Sequence, residues 1–209
     1  MKITLFGATG RTGRQILSQA LAEGHLVTAV VRSPRAVFEP HPQMQIAVAA
    51  FDDQVAVRAA MHGCDAVLSA VGAPLSRAVT SVHEDSARAI LRVMQAETIR
   101  RLVVVSSGGT NPQHDPNLPF VFEQVFKRLF INIYHDQIRM EQHIMASDRD
   151  WTIIRPPQLT DDVLDTRYRT AEAYAIAGGN SVSRADVAHL MLRVLDDPSA
   201  YRKAYAIAR

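Results

Sequence analysis

Apolar positions along this chain fall into two alternating textures. Short, nearly unbroken hydrophobic runs recur at Ile3–Phe6, Leu26–Val31, Met44–Ala49, Asp65–Val71, Arg101–Val105, Trp151–Arg155 and Ala204–Ala208. Runs of this kind predict strands buried on both faces. Between them the apolar residues are spaced as on one face of a helix. Ile16, Leu17, Ala20 and Leu21 form the first such set, and Val55, Val57 and Ala60 the second. Ala87, Ile90, Leu91 and Met94 follow, and Val187, Leu190, Met191, Val194 and Leu195 close the series. A further helix is expected from His135 to Ser147. Strand and helix in regular alternation predict an α/β fold, a doubly wound parallel sheet.

Local signals sharpen the boundaries. Ser81-Val-His-Glu84 and Ser183-Arg-Ala-Asp186 have the form of capping boxes opening two of the helices. Thr110 to Leu118 is rich in proline and asparagine and reads as a loop. Phe120 to Ile133 is aromatic and reads as a helical lid or wall beside a substrate space. Thr166 to Gly179 fits a short strand or a helix equally well. No repeat, low-complexity tract or linker divides the chain, so residues 1–209 are expected to form a single domain with a small C-terminal extension on the substrate side.

The chemistry concentrates where the first strand meets the first helix. Gly7-Ala-Thr-Gly10-Arg-Thr-Gly13 lies between them. The first glycine suits a tight turn out of the strand. The middle one lets backbone approach a pyrophosphate, and the last lets helix and strand pack closely. The helix N-terminus adds free N–H groups and a positive dipole end, and Thr9 and Thr12 add hydroxyl donors. A Rossmann-type dinucleotide site follows. The second strand ends in Arg32-Ser33-Pro34-Arg35, where NAD would call for an acidic residue; arginine there favours a 2′-phosphate. Since ligands of open parallel sheets sit beyond the carboxyl ends of the strands, Phe51, Asp52 and Val71-Gly72 should line the same crevice.

Composition narrows the field. The net charge of +2 is too small to argue for nucleic acid or a membrane surface, and no apolar run approaches the ~20 residues of a membrane span. The N-terminus lacks a signal peptide's apolar stretch, so a cytoplasmic protein is expected. A lone cysteine, Cys64, excludes an internal disulfide and reads as a small core residue. His41, His83, His114 and His135 show no metal-ligand spacing, and no metal is expected. No glycine–x–serine–x–glycine elbow follows a strand, which argues against a hydrolase. Arg139 and Glu141 on one helix read as a solvated pair.

Taken in order, Gly7–Gly13, Val31-Arg32-Ser33, Asp65-Ala-Val-Leu68, Val105-Ser106-Ser107, Ile153-Ile-Arg-Pro-Pro157 and Ser183-Arg-Ala-Asp-Val-Ala188 resemble the atypical short-chain dehydrogenase/reductases of the NAD(P)H-binding, NmrA-like kind. Asp136-Gln-Ile-Arg-Met140 and the double proline are most similar to the biliverdin-IXβ and flavin reductases among them. The resemblance implies NADP(H) as cofactor. Pyrophosphate would be held by Gly7, Thr9, Gly10, Arg11, Thr12 and Gly13, and the 2′-phosphate by Arg32, Ser33 and Arg35. Phe51 and Asp52 would flank adenine, and Ala70, Val71 and Gly72 the adenosine ribose. Ser106, Pro156 and Pro157 would sit near the nicotinamide. Ser107, Gly108, Tyr134 and Gln158 would face substrate, with Ser107 the best-placed catalytic group and Tyr134 a wall.

Three departures stand out. The acid that many relatives carry after the third strand falls near Ala50. The superfamily's Tyr-x-x-x-Lys pair falls at Ile133 and Gln137, with Tyr134 one residue off. Gln158 replaces a histidine that follows the double proline in the biliverdin-IXβ reductases. Two functional classes fit: an NADPH-dependent reductase of a planar conjugated acceptor, acting on a small molecule as a monomer or weak homodimer, or a non-catalytic NADP(H) sensor working through a protein partner.

Overall fold

The computed structural model describes residues 1–36, 38–74, 76–110, 127–172 and 174–209. Its frame is one sheet containing β1 (Lys2–Phe6), β2 (Leu26–Val31), β3 (Met44–Val48), β4 (Ala66–Ser69), β5 (Arg101–Val105), β6 (Asp150–Arg155), β8 (Arg169–Glu172) and β10 (Lys203–Ala208). The strands lie in the order β3-β2-β1-β4-β5-β6-β10-β8. All pairings are parallel except that of β8 with β10. Chain order reverses between β1 and β4. A cleft therefore opens beyond their carboxyl ends, the place where doubly wound sheets bind ligands.

Strand periodicity sends alternate residues into two cores. Ile3, Leu5, Ala66, Leu68, Val103 and Ile154 face one side, where they meet Ile16, Leu17 and Ala20 of α1 (Arg11–Ala22) and Val187 and Met191 of α6 (Arg184–Arg193). Phe6, Val67, Leu102, Val104 and Ile153 face the other side. There they meet Val57 of α2 (Gln54–Met61), Ile90 of α3 (Val82–Ala96) and Ile144 of α5 (Ile131–Met145). Both faces are covered by helices, which is why the strands read as apolar runs. Thr4 breaks the run at no cost in unpaired groups: its hydroxyl donates to the Ala60 carbonyl at 3.0 Å.

Several boundaries differ from expectation. The aromatic segment from Phe120 and the loop from Asn111 lie largely outside the described residues; within them, α4 (Lys127–Leu129) is a single turn. Helix α5 then runs unbroken from Ile131, so the chain does not pause at Ile133. The ambiguous stretch after Thr166 becomes β8, an antiparallel edge strand on β10. Two short strands, β7 (Gln158–Thr160) and β9 (Ser181–Ser183), pair in parallel beside α6, with Thr160 opposite Ser183.

The two capping boxes are also not as expected. Ser183 accepts from the Asp186 N–H at 2.9 Å, but the Asp186 carboxylate does not return the bond. It accepts instead from the N–H groups of Asp165 and Thr166, at 3.0 Å each, and from Arg209. At the start of α3, Ser81 donates to Asp85, and Glu84 is taken by Arg139 and His143. The α3 cap comes from α5: Asp136, fully buried, accepts from the N–H groups of His83 at 3.0 Å and Glu84 at 2.9 Å. The His83 ring completes the arrangement at 2.8 Å from the same carboxylate. A buried carboxylate requires donors, and a helix N-terminus supplies them along with a favourable dipole.

Candidate functional site

Strand β1 turns into α1 through Gly7, whose φ of +77° suits glycine; a Cβ there would stand 2.5 Å from the Ala70 carbonyl. A Cβ on Gly13 would collide with the Gly7 carbonyl oxygen, so this glycine sets the close approach of helix to turn. Gly10 differs. Its backbone is ordinary extended chain, it forms the N-cap of α1 without a capping side chain, and it lines a cleft of ≈ 320 Å³. The first-turn N–H groups of α1 are thereby left for a ligand.

Around this turn the cleft wall takes Thr9, Arg11 and Thr12, then Arg32 from the end of β2. Phe51 stands on one side, its ring 6.0 Å from that of Phe6, and Ala70, Val71 and Gly72 follow from the end of β4. Among the described residues that form the wall there is no carboxylate. Backbone cradle, hydroxyls, arginines and an apolar slot fit a dinucleotide with a phosphate-rich middle and a flat base at one end.

Three expected members stand apart. Asp52 is exposed and outside the wall, because the next residue, Asp53, turns the chain into α2 by accepting from the Ala56 N–H at 3.0 Å. Ser33 and Arg35 are exposed beyond the wall. They belong to a local turn in which the Ser33 hydroxyl accepts from the Arg35 N–H at 3.3 Å. Arg184, unforeseen in the sequence, lines the cleft from the first position of α6. Its only signal was its place directly after the Ser183 cap.

The remaining candidates gather at the ends of β5 and β6. The Ser106 N–H donates to the Ile154 carbonyl and the Gly108 N–H to the Pro156 carbonyl, both at 2.8 Å, so the Ser106–Gly108 and Pro156–Pro157 segments form one ledge. Gln158 is exposed at the start of β7. Tyr134 is half-buried on α5; burial pushes its phenol above the ordinary value, and the neighbouring Ser107 side chain draws it part of the way back. The one-residue offset of Tyr134 from the superfamily position therefore does not keep it from the serine. A protonated phenol beside a half-buried hydroxyl can orient a polar acceptor atom.

Beneath the ledge lies a buried ion pair in place of the expected solvated one. Glu141 and Arg139 do not pair with each other. Arg139 reaches Glu84 at 2.5 Å. Glu141, 1 % exposed, accepts from Arg155 at 2.6 and 3.1 Å and from the Thr110 hydroxyl at 2.7 Å. Thr110 also lies 2.7 Å from the Ser107 carbonyl and 3.4 Å from the Ser106 hydroxyl. The pair thus ties α5 and β6 to the strand end that carries both serines. Its signal in the sequence was weak: an arginine ahead of two prolines, and a glutamate one helical face away.

The comparisons with known proteins agree with this geometry. The NAD(P)H-binding family model matches residues 7–198. The chain belongs to the NAD(P)H-binding family. It is 24% identical to the protein YwnB of Bacillus subtilis (strain 168), over 99% of this chain and 98% of that one. It is 21% identical to the oxidoreductase ptaF of Pestalotiopsis fici, over 94% of this chain and 80% of that one. A short-chain dehydrogenase/reductase from Veillonella parvula DSM 2008, solved in complex with NADP, superposes with a TM-score of 0.83 at 21% identity, covering 100% of this chain and 94% of that one. The cleft at the β1–β4 switch is the candidate site for that cofactor. Among the described residues, no helix is long and apolar enough to cross a membrane.

Proposed function

We propose that the protein is an NADPH-dependent reductase that passes hydride to a planar conjugated acceptor, such as a flavin or a tetrapyrrole. The observation that carries this reading is Arg32 in the cleft wall at the end of β2, where no carboxylate stands to hold free ribose hydroxyls. The oxidoreductase name of a relative supports the reaction class. The bound nicotinamide supplies the hydride. The chain positions: the ledge of Ser106, Gly108 and the two prolines bounds one side of the acceptor space, and Ser107 and Tyr134 offer hydroxyls to orient it. Ile138, not lysine, stands one helical turn beyond Tyr134, so that position supplies no cation to lower the phenol's pKa for proton transfer. A conjugated acceptor spreads the charge of the reduced product and takes its proton from solvent. That matches a site with two orienting hydroxyls and little acid–base machinery, and it agrees with the resemblance to the biliverdin-IXβ and flavin reductases.

The test is the oxidation of NADPH, followed by absorbance, with FMN, riboflavin and a tetrapyrrole beside a set of simple ketones and aldehydes. Turnover with the conjugated acceptors and none with simple carbonyls is expected. Brisk reduction of simple carbonyls would make Tyr134 the acid of an ordinary carbonyl reductase. Tight NADPH binding with no turnover on any acceptor would favour the sensor.

A further inference from the structure

One carboxylate, outside the wall itself, joins two arginines of the cleft wall. Strands β7 and β9 end in register at Thr160 and Ser183, so the residues that follow, Asp161 and Arg184, emerge side by side. Arg184 Nη1 donates to Asp161 Oδ1 at 2.6 Å. Arg11 Nη1 donates to Asp161 Oδ2 at 2.8 Å. Each arginine is the first residue of a helix, α6 and α1, and each lines the cleft beside Gly10 and Thr12. The carboxylate spends one oxygen on each guanidinium. Asp161 is 62% exposed and Arg11 71% exposed, whereas Arg184 is only 11% exposed.

Resting on the NADP(H) reading above, we propose that Asp161 is a built-in competitor for the cofactor's pyrophosphate. It holds Arg184 and Arg11 while the cleft is free and yields them when the pyrophosphate arrives. The Asp161–Arg11 pair is exposed at both ends and is held weakly because water and salt screen it; the Asp161–Arg184 pair is open to water on its carboxylate side. A phosphate diester presents more oxygens and accepts bidentate, charge-assisted bonds from a guanidinium. The exchange therefore runs toward the cofactor, but each binding event must displace the carboxylate and then tolerate its charge close by. Arg184, largely buried and set by the Ser183 cap, is the arginine already in position. Arg11, the more exposed of the two, is the partner that turns from Asp161 to the pyrophosphate.

The experiment compares the intact protein with Asp161→Asn and Arg184→Met by calorimetry, using NADPH and adenosine 2′-monophosphate. The second ligand keeps the base and the 2′-phosphate but has no pyrophosphate. At low salt Asp161→Asn should bind NADPH about three- to tenfold more tightly. At ~1 M NaCl, where the screening length falls to roughly 3 Å, that gain should largely vanish. Adenosine 2′-monophosphate should bind both proteins alike. Arg184→Met should weaken NADPH about tenfold or more and leave the monophosphate unchanged, with Arg184→Lys between. Unchanged or weaker NADPH binding by Asp161→Asn would overturn the proposal, as would an equal gain for the monophosphate. If the intact protein binds the monophosphate and NADPH with equal strength, the pyrophosphate contributes nothing and the competitor has no role. If the intact protein fails to bind NADPH at all, the cofactor reading itself fails and the proposal with it.

Discussion

The two ends of the sheet's carboxyl edge are built on different principles. At β1, β2 and β4 the cleft is made of backbone: a glycine turn, a bare helix N-terminus and strand ends, with arginines at the rim. At β5 and β6 the ledge is held from beneath by side chains, Glu141 against Arg155 and Thr110, with Asp136 capping α3 nearby. The first end is specified by local chain geometry and presents its polar groups to a ligand. The second spends buried charge on holding a strand end still. A dinucleotide's phosphates can be met by a glycine turn and a helix N-terminus, so such a site can be written into one turn. On the proposed reading the acceptor is oriented by hydroxyls whose strand must be fixed by distant elements, and buried ionic contacts can do that at a cost in desolvation.

The contrast breaks most visibly at Glu141. Glu141→Ala leaves the Arg155 guanidinium buried without its carboxylate and should cost about 3–5 kcal/mol of stability, read as a large fall in melting temperature. Glu141→Met with Arg155→Met together should cost much less than the sum of the single changes, since neither charge is then stranded. NADPH affinity in whatever remains folded should be nearly unchanged, because the cleft does not depend on the pair.

At the other end, Gly10→Val should do the reverse. Gly10 has φ −70° and ψ 161°, which valine accepts, and its Cβ would meet only the Gly7 oxygen at 3.3 Å. The protein should fold, with a small loss of stability, while the side chain fills the space the pyrophosphate needs. Calorimetry should show NADPH affinity reduced by about a hundredfold or more, the equivalent of ~2.7 kcal/mol. Unaltered affinity in a folded variant would refute the cleft as the site.

Arg32→Ala sharpens the cofactor assignment. A charge-assisted bond contributes ~1.5–3 kcal/mol, roughly ten- to hundredfold in affinity. The intact protein should prefer NADPH over NADH by that order, and the substitution should remove most of the preference while NADH binding stays put. Equal dissociation constants in the intact protein would contradict the role of Arg32.

The smallest expected effect lies at the ledge. Tyr134→Phe removes the phenol beside the Ser107 side chain, and with a flavin acceptor kcat should fall less than about tenfold, the loss shared with KM. A thousandfold fall in kcat would assign general acid work to Tyr134, since a positioned acid is worth 10²–10⁴-fold.

Much of this was legible in the order of residues. Alternating apolar runs and helical faces determined the doubly wound sheet, because a strand buried on both sides must be apolar throughout and a covering helix on one stripe only. Gly7, Gly10 and Gly13 marked the turn between β1 and α1 by their spacing; the constraint on Gly13 is local, at Gly7, whereas that on Gly7 comes partly from Ala70 at the end of β4. Arg32 was legible as the residue that ends β2. What the chain order could not settle was every contact made between distant elements. Asp136 caps a helix more than fifty residues earlier. Glu141 finds Arg155 and not Arg139. Asp161 meets Arg184 because β7 and β9 stop in register, and Tyr134 comes near Ser107 from α5. Charged and hydroxyl side chains carry no periodic signature. Which partner satisfies each of them is decided only when packing removes water and leaves a particular donor within reach.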